Sequence, residues 1–278
     1  MTMTGRERLK NVQDLLNAVF LEKIPGDYIE TGVWRGGSSI FARGMMRFNG
    51  EGHRLSFVCD SFRGLPAGDR KLDRMDRGWD SMTYLQVGDD AVANHFCNAG
   101  TMDPNVVFAK GFFNETMVPL KNVIKELAII RLDGDMYEST VDVLYNLYDK
   151  LSIGGYAIMD DWDMLRGGGP SPFPSKTAAL DFLKCHGLKE QIIKIDQLSA
   201  YWKKTQHVDV QYWRYKQLDF KCDETASVGM TRPSEGSTAA SDVPAIGQAA
   251  KPGNSSSRSF SPFPWVMWGA RVKTGKHG

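Results

Sequence analysis

The sequence predicts an α/β fold in which a mostly parallel sheet is covered by helices on both faces. Short apolar runs, typical of strands buried on both sides, alternate with segments of helical periodicity. Several runs end in glycine-rich or acidic residues, and parallel α/β sheets bind ligands at the carboxyl ends of their strands. The expected strands are 27–30, 55–59, 106–109, 127–132 and 156–159, followed by a closing antiparallel pair over 191–195 and 200–204.

Helices are expected before and between these strands. Apolar residues at helical spacing predict a first helix within 4–22, begun by a capping-box pattern of Thr4 and Glu7. A later helix is expected to begin near Ser139 and to end at Gly154. The other expected helices cover about 39–48, 89–97 and 176–186.

Domain organisation follows from a change in composition near residue 223. Residues 1–222 carry the alternating pattern and are expected to form one domain, with the first helix included. Residues 223–278 are rich in Ser, Gly, Pro and Ala, which predicts a disordered tail. The aromatic residues Trp265 and Trp268 near the end of this tail leave open a short docking segment.

Charge and cysteine content exclude several classes of protein. The 278 residues include 34 basic and 33 acidic ones, so no strong field is available to hold nucleic acid or an anionic membrane. No apolar run has the length of a membrane-spanning helix, and the N-terminus lacks the apolar core of a signal peptide. Four scattered cysteines without a CxxC spacing indicate reduced thiols. We therefore expect a cytoplasmic protein.

The segment after the first expected strand has the composition of a nucleoside site. Gly32 and Gly36 would let the backbone approach a ligand, and Asp60 ends the second strand, where a carboxylate commonly binds ribose hydroxyls. The spacing is not the GxGxxG of dinucleotide sites, and Glu30 would disfavour a pyrophosphate. An acid at this point suits the ammonium and sulfonium groups of S-adenosylmethionine. A purely structural turn is the alternative explanation of the glycines.

Three aspartates follow the fourth and fifth expected strands. Asp133 closes one strand, and Asp160 and Asp161 close the next, so the fold would bring all three to one edge of the sheet. Carboxylates held close together repel one another unless a cation shares them, and all-oxygen ligation suits Mg²⁺. The alternative interpretation, helix caps or surface acids, is reasonable for Asp135 and Glu138.

Several segments of the chain resemble a known family, in the family's order, across about residues 6–204. The most specific segments are "IETGVWRGG", "DSFRGLP" and "RLDGDMYEST". They are similar to the macrocin O-methyltransferase (TylF/MycF) family of S-adenosylmethionine- and Mg²⁺-dependent sugar O-methyltransferases. The resemblance implies a class I methyltransferase fold, with a mostly parallel seven-stranded sheet and a final antiparallel strand.

The resemblance also implies the residues of the site. Asp133, Asp160 and Asp161 would be the metal ligands, and Glu30, Gly32 and Asp60 would line the cofactor site. Apart from the resemblance, we expect Asp133 to be the catalytic base, as a carboxylate that would touch both the metal and the acceptor. Asp135 and His95 are reserve candidates for the base. We expect the cofactor site to comprise Glu30, Thr31, Gly32, Gly36, Ser38, Asp60, Ser61, Gly111 and Asp133.

The chain departs from the family pattern in segments expected to border the acceptor. Residues 164–175 intervene after the acidic pair, Trp162 stands where a tyrosine is common, and the loop 64–81 diverges. Arg70, Lys71 and Trp79 in that loop would belong either to a lid that excludes water or to a solvated charged loop.

The expected reaction is direct transfer of the methyl group to an acceptor hydroxyl. The leading acceptor is a hydroxyl of a sugar or of a glycosylated natural product, and a catechol-like or phenolic diol is the alternative. A relative that binds the nucleoside without turnover is the alternative from another class, and a dinucleotide oxidoreductase is a weak fourth. The expected partner is a small molecule, neither nucleic acid nor membrane, and the assembly is left open between a monomer and a homodimer.

Overall fold

The computed structural model describes residues 2–68, 73, 78–166 and 169–215, and within them a seven-stranded sheet forms the centre of the protein. The strands follow one another in the order β3-β2-β1-β4-β5-β9-β8, and all pairs from β3 to β5 are parallel. Strand β9 is antiparallel to β5, and β8 is antiparallel to β9. The strands of this sheet are β1 (Asp27–Thr31), β2 (Ser56–Asp60), β3 (Val106–Lys110), β4 (Leu127–Leu132), β5 (Leu151–Met159), β8 (Ile193–Lys194) and β9 (Ala200–Lys203). The mostly parallel sheet and its antiparallel closing pair are confirmed.

Helices cover the sheet on both faces. On one face α1 and α2 pack on a core that includes Tyr28, Ile129 and Ile158. On the other face Trp202 of β9 donates to the Tyr148 hydroxyl beneath α5 and α6. The helices are α1 (Arg6–Leu21), α2 (Gly37–Phe48), α3 (Asp89–Asn98), α4 (Phe113–Val123), α5 (Tyr137–Leu147), α6 (Pro174–Cys185) and α7 (Tyr212–Tyr215).

Helices α4 and α7 and one hairpin are absent from the sequence-based expectation. Helix α4 forms although Pro119 lies within it, since the ring at that position removes only one backbone donor of a short helix. After the acidic pair, β6 (Asp163–Arg166) and β7 (Gly169–Pro172) form a separate antiparallel hairpin. This hairpin occupies most of the segment that departs from the family pattern.

Two predicted helix signals are wrong. Helix α1 begins after Gly5 without a side-chain cap, because Thr4 lies outside the helix and its hydroxyl contacts Ser38. Helix α5 begins at Tyr137, two residues before Ser139, and ends at Leu147. The glycines at 154 and 155 instead lie inside β5.

Some expectations fall on residues that the structure does not describe. The boundary at residue 222 and the tail 223–278 lie outside the described residues, as do Arg70 and Lys71. Among the described residues, no helix combines the length and apolar character that a membrane crossing requires. The expectation of four reduced thiols is wrong at one position. Cys59 and Cys97 are free and Cys185 is disulfide-bonded, whereas Cys222 lies outside the described residues.

Candidate active site at the carboxyl edge of the sheet

A cavity of about 630 Å³ opens at the carboxyl ends of the parallel strands. The loops that follow β1, β2, β3, β4 and β5 form its walls, and the segment Thr2–Arg8 closes one side. This is the position where parallel α/β sheets bind ligands, and the volume is in the range of small-molecule sites.

Arg131 joins the carboxylates at the floor of this cavity. The register of β1 and β4 places Glu30 directly beside Arg131, whose guanidinium is fully buried. Its Nη1 donates to Glu30 Oε1 and to Asp133 Oδ2, both at 2.6 Å, and its Nη2 donates to Asp160 Oδ1 at 2.5 Å. One cation therefore holds carboxylates from the ends of three adjacent strands.

The three aspartates of the predicted metal site converge in the structure. One carboxylate oxygen each from Asp133, Asp160 and Asp161 lies within 4.8 Å of the other two. The backbone explains this convergence, because Asp133 N donates to Thr31 O and Asp160 N donates to Leu132 O, which extends the strand ladders past their last residues. The structure thus brings together groups that are distant in sequence.

This donor set fits a hard divalent cation. Oδ1 of Asp133 and Oδ1 of Asp161 accept no hydrogen bond within the described part of the chain, and Asp161 pairs there with no Lys or Arg. Asp160 is more constrained, since Arg131 holds its Oδ1 and Arg8 holds its Oδ2 at 2.6 Å. Carboxylate oxygens with open positions are the ligands that Mg²⁺ prefers.

The pKa values of the acids reflect this crowding. Burial raises the pKa of Asp133 well above its usual range, and the nearby Asp160 raises it further. Burial and the neighbouring Asp135 do the same to the pKa of Asp161. The pKa of Asp135 rises to about 7, through burial and then through Asp160. The acids outnumber their cationic partners, and a bound cation would relieve their repulsion.

The glycine-rich turn is built for close backbone approach. Gly32 has a φ of +91°, and a Cβ at this position would lie 1.7 Å from the carbonyl oxygen of Asp133. Asp60 fixes the same turn, because its Oδ2 accepts the N–H groups of Val33 and Trp34 and its Oδ1 accepts that of Phe62. The loops that carry the predicted cofactor and metal residues are therefore in direct contact.

Six of the predicted cofactor residues line the cavity and three do not. Thr31 instead donates to the carbonyl oxygen of Arg131, Gly36 packs against α3, and Gly111 packs against the first turn of α4. These three do not line the cavity, and their part in cofactor binding stays a prediction. The lining residues of the predicted set are Glu30, Gly32, Ser38, Asp60, Ser61 and Asp133.

Glu30 has a different environment from the one expected. It is almost fully buried, its Oε1 receives Arg131, and its Oε2 accepts from the hydroxyls of Ser39 and Tyr28. Both carboxylate oxygens therefore have protein donors. Glu30 supports the floor of the cavity through Arg131, and little of its surface is exposed to the cavity.

The other residues singled out from the sequence, His95, Trp79 and Trp162, do not line the cavity. His95 contacts the carbonyl oxygen of Arg35 from α3 and does not line the cavity, so it is a poor candidate for the base. Trp79 is 1% exposed and donates to the backbone of Asp73. Trp162 packs against Trp202, and no described residue of 164–175 lines the cavity. The expectation that this segment borders the acceptor stays a prediction, which the cavity lining does not support.

Sequence reasoning missed one contact from the 64–81 loop. The Asp73 carboxylate accepts the N–H groups of Tyr137 and Glu138, the first two residues of α5. It caps the helix that directly follows Asp133 and Asp135. The residues are distant in sequence, so no local signal could have revealed the cap.

Sequence reasoning also missed several lining residues. The segment Thr2–Thr4 and Arg8 line the cavity, although helical periodicity assigns them only to the start of an amphipathic helix. Their role depends on where α1 docks, which local sequence does not encode. The remaining side chains that it missed are Val33, Trp34, Leu65, Pro66, Tyr84, Leu85, Phe112, Phe113, Asn114, Ser139, Val141, Asp142 and Tyr215.

Comparison with known proteins gives close relatives. The chain is 38% identical to demethyldecarbamoylnovobiocin O-methyltransferase of Streptomyces niveus over 211 residues, which cover 73% of this chain and 76% of the relative. It is also 38% identical, over 207 residues and with the same coverage, to 8-demethyl-8-(2,3-dimethoxy-alpha-L-rhamnosyl)-tetracenomycin-C 4'-O-methyltransferase of Streptomyces olivaceus.

The fold has a matching solved structure. The O-methyltransferase NovP superposes with a TM-score of 0.68 and 37% identity, over 74% of this chain and 82% of that one. The macrocin-O-methyltransferase (TylF) family matches residues 1–204, which include every strand described above. The chain therefore belongs to the macrocin O-methyltransferase (TylF) family, and its sheet has the class I S-adenosylmethionine-dependent methyltransferase fold.

Proposed function

We propose that this protein transfers a methyl group from S-adenosylmethionine to a hydroxyl of a sugar on a small natural product, with Mg²⁺ at Asp133, Asp160 and Asp161. The observation that carries the proposal is the convergence of these carboxylates on the floor of the cavity. The relatives support the acceptor class, since one is named for a rhamnosyl-tetracenomycin and another for demethyldecarbamoylnovobiocin.

The metal and the donor each supply one chemical component. Mg²⁺ held by the three aspartates would lower the pKa of an acceptor hydroxyl, as metals do for bound water. S-adenosylmethionine would supply a methyl group activated by its sulfonium. The acidic lining favours both cations, and Asp60 and Ser61 at the end of β2 would bind the ribose hydroxyls.

Asp133 is the residue that we assign as the base. It lines the cavity, and Arg131 fixes its Oδ2 while its Oδ1 has no partner in the described part of the chain. That oxygen would lie within reach of a hydroxyl bound beside the metal, which is the geometry that a general base needs. Asp135 is the second candidate, since its pKa of about 7 also suits proton transfer.

Part of the cavity lining suits the sugar ring of an acceptor. Glu138, Asp142 and Tyr215 are lining residues with hydrogen-bonding groups, and Phe112 and Phe113 add apolar surface to the lining. Hydroxyls of a sugar would find acceptors there, while its ring carbons would contact the aromatic side chains. Positioning the acceptor in this way would supply much of the rate enhancement.

A transfer assay tests the acceptor class. A glycosylated macrolide or aminocoumarin, its aglycone and a simple catechol are each incubated with labelled S-adenosylmethionine, with and without EDTA. We expect transfer only to the glycoside, and loss of transfer with EDTA. Preferred methylation of the catechol would support the phenolic alternative, and binding of the donor without any transfer would support a non-catalytic relative.

Asp161→Asn tests the metal site with the least structural disturbance, because Asp161 pairs with no Lys or Arg among the described residues. We expect turnover to fall roughly 100-fold or more, the scale of losing electrostatic stabilisation of the transition state. Mn²⁺ affinity should fall in parallel, while donor binding stays near that of the wild type. Asp90→Asn, the same change at an exposed position of α3, is the control. Unchanged Mn²⁺ affinity in Asp161→Asn would contradict the assignment.

A further inference from the structure

The charged lining of the cavity is strongly one-sided. Among the described lining residues, eight side chains are acidic and only Arg8 is basic. The acids suit a divalent cation and the sulfonium and ammonium groups of S-adenosylmethionine. They repel the carboxylate of S-adenosylmethionine. The acidic lining residues are Glu30, Asp60, Asp133, Asp135, Glu138, Asp142, Asp160 and Asp161.

Arg8 has free hydrogen-bonding capacity. Its Nε donates to Asp196 Oδ2 at 2.7 Å, and its Nη1 donates to Asp160 Oδ2 at 2.6 Å. Its Nη2 has no hydrogen-bond partner within the described residues. The side chain is 15% exposed, and Arg8 is among the residues that line the cavity. Two aspartates thus hold the guanidinium in place while one nitrogen remains available to a ligand.

Arg8 also lies at the end of the cavity where the donor's amino acid group is expected. Thr4, one turn earlier, contacts the hydroxyl of Ser38 at 3.0 Å, and Ser38 is the second residue of α2. A helix N-terminus favours an anion. The guanidinium, the two hydroxyls and the first turn of α2 therefore form one wall beside the end of β1.

We propose that Arg8 binds the α-carboxylate of the methionine moiety of S-adenosylmethionine. This assignment rests on the proposed function, because it takes the donor as given. It gives α1 a part in the site, since the helix carries the one positive charge that the described lining offers to an anionic group. A planar guanidinium with a free N–H matches a carboxylate better than an ammonium would.

A chemical double-mutant cycle tests this proposal. Calorimetry measures the dissociation constants of S-adenosylmethionine and of decarboxylated S-adenosylmethionine for the wild type and for Arg8→Ala, without acceptor. Losing a charge-assisted hydrogen bond should weaken S-adenosylmethionine about 10- to 100-fold. The decarboxylated compound has no carboxylate to lose, so its affinity should change little. Arg6→Ala, at an exposed position of the same helix, should affect neither ligand.

Each outcome has one meaning. An equal loss for both ligands would overturn the proposal, because Arg8 would then act only through Asp160 and Asp196. No binding of either ligand to the wild type would overturn the proposed function itself. Arg8→Lys retains the charge beside both aspartates and guards against misfolding of Arg8→Ala. Its loss should be smaller than that of Arg8→Ala and again confined to S-adenosylmethionine.

Discussion

Two buried arginines, Arg43 on α2 and Arg131 on β4, show how different a structural ion cluster is from one at a binding site. Both guanidinium groups are almost inaccessible to solvent. Arg43 uses all three nitrogens, donating to Asp103 and to the carbonyl oxygens of Gly52 and Arg54. Charge and hydrogen bonds are balanced there, as stability requires of a buried ion pair.

The Arg131 cluster is not balanced. One guanidinium faces the carboxylates of Glu30, Asp133 and Asp160, and its Nε has no hydrogen-bond partner within the described residues. A cluster that served only stability would not retain this excess of negative charge. The comparison teaches that unbalanced charge at the end of a buried strand marks the position where a ligand is expected.

The largest predicted effect comes from the backbone beneath the Arg131 cluster. In Gly32→Ala the new Cβ would collide with the carbonyl oxygen of Asp133, and the φ of +91° is unfavourable for alanine. We expect the free energy of unfolding to fall by about 3 kcal/mol or more, together with turnover. Urea denaturation and the transfer assay measure both. Wild-type behaviour in both would mean that the loops do not meet as described.

Replacing each arginine separately sharpens the contrast. Arg131→Met should lose about 3–5 kcal/mol of stability, because it leaves the buried carboxylate of Glu30, and that of Asp133, without a cationic partner among the described residues. Arg43→Met should lose less, because Asp103 is only partly buried and keeps Arg47 at 3.8 Å. Saturating Mg²⁺ should restore part of that loss in Arg131→Met, since a second cation can bind the freed acids, and none of it in Arg43→Met. Urea denaturation with and without Mg²⁺ measures the difference. Equal responses of the two variants to Mg²⁺ would remove the distinction between the clusters.

Two acids near the cavity, Asp135 and Asp196, should give the protein opposite pH dependences. An unfolded Asp135 loses its proton near pH 3.8, whereas the folded one holds it to about pH 7. The folded state then binds more protons, so the stability of the metal-free protein should fall as pH rises through this window. Asp196, with a pKa lowered to about 2 by Ser199 and Arg8 against the effect of burial, acts in the opposite sense and only at lower pH. Thermal melts in chelator should show the fall, and Asp135→Asn should reduce it.

The smallest predicted effect lies next to Arg43. Gly44 is within α2, and a Cβ there would have its nearest neighbour at 3.9 Å, an ordinary contact. Alanine favours a helix over glycine, so Gly44→Ala should raise the free energy of unfolding by about 0.5–1 kcal/mol. Urea denaturation of Gly44→Ala and of Gly32→Ala, measured together, compares the same substitution at an unstrained and at a strained position. A loss of stability in Gly44→Ala would show that α2 packs more tightly than described.

The parts of the fold that local sequence encodes could be predicted. The five parallel strands are short apolar runs, and their observed bounds agree at the core of each run, as in "LAIIRL" of β4. Asp133 and Asp160 could be placed at strand ends because the acid directly follows the apolar residues. Their mutual proximity follows from the parallel order of β4 and β5.

The parts that depend on tertiary contacts could not be predicted. Asp73 caps α5 from a distant loop, and Arg8 reaches the cavity only because α1 docks beside β5. The sequence alone predicts that the Glu30 carboxylate is available to a ligand. The strand register places it beside Arg131, which donates a hydrogen bond to it. Residues whose partners are remote in the chain therefore carry no local signal of their role.

The position of Thr2 and Met3 at the rim of the cavity has a practical consequence for anyone who expresses this protein. A purification tag or reporter fused ahead of these residues would emerge beside the opening, where it could obstruct entry of a bulky glycoside. Binding constants measured on such a fusion would then include the effect of the tag on acceptor entry. Removing the tag before any kinetic or calorimetric work separates the two.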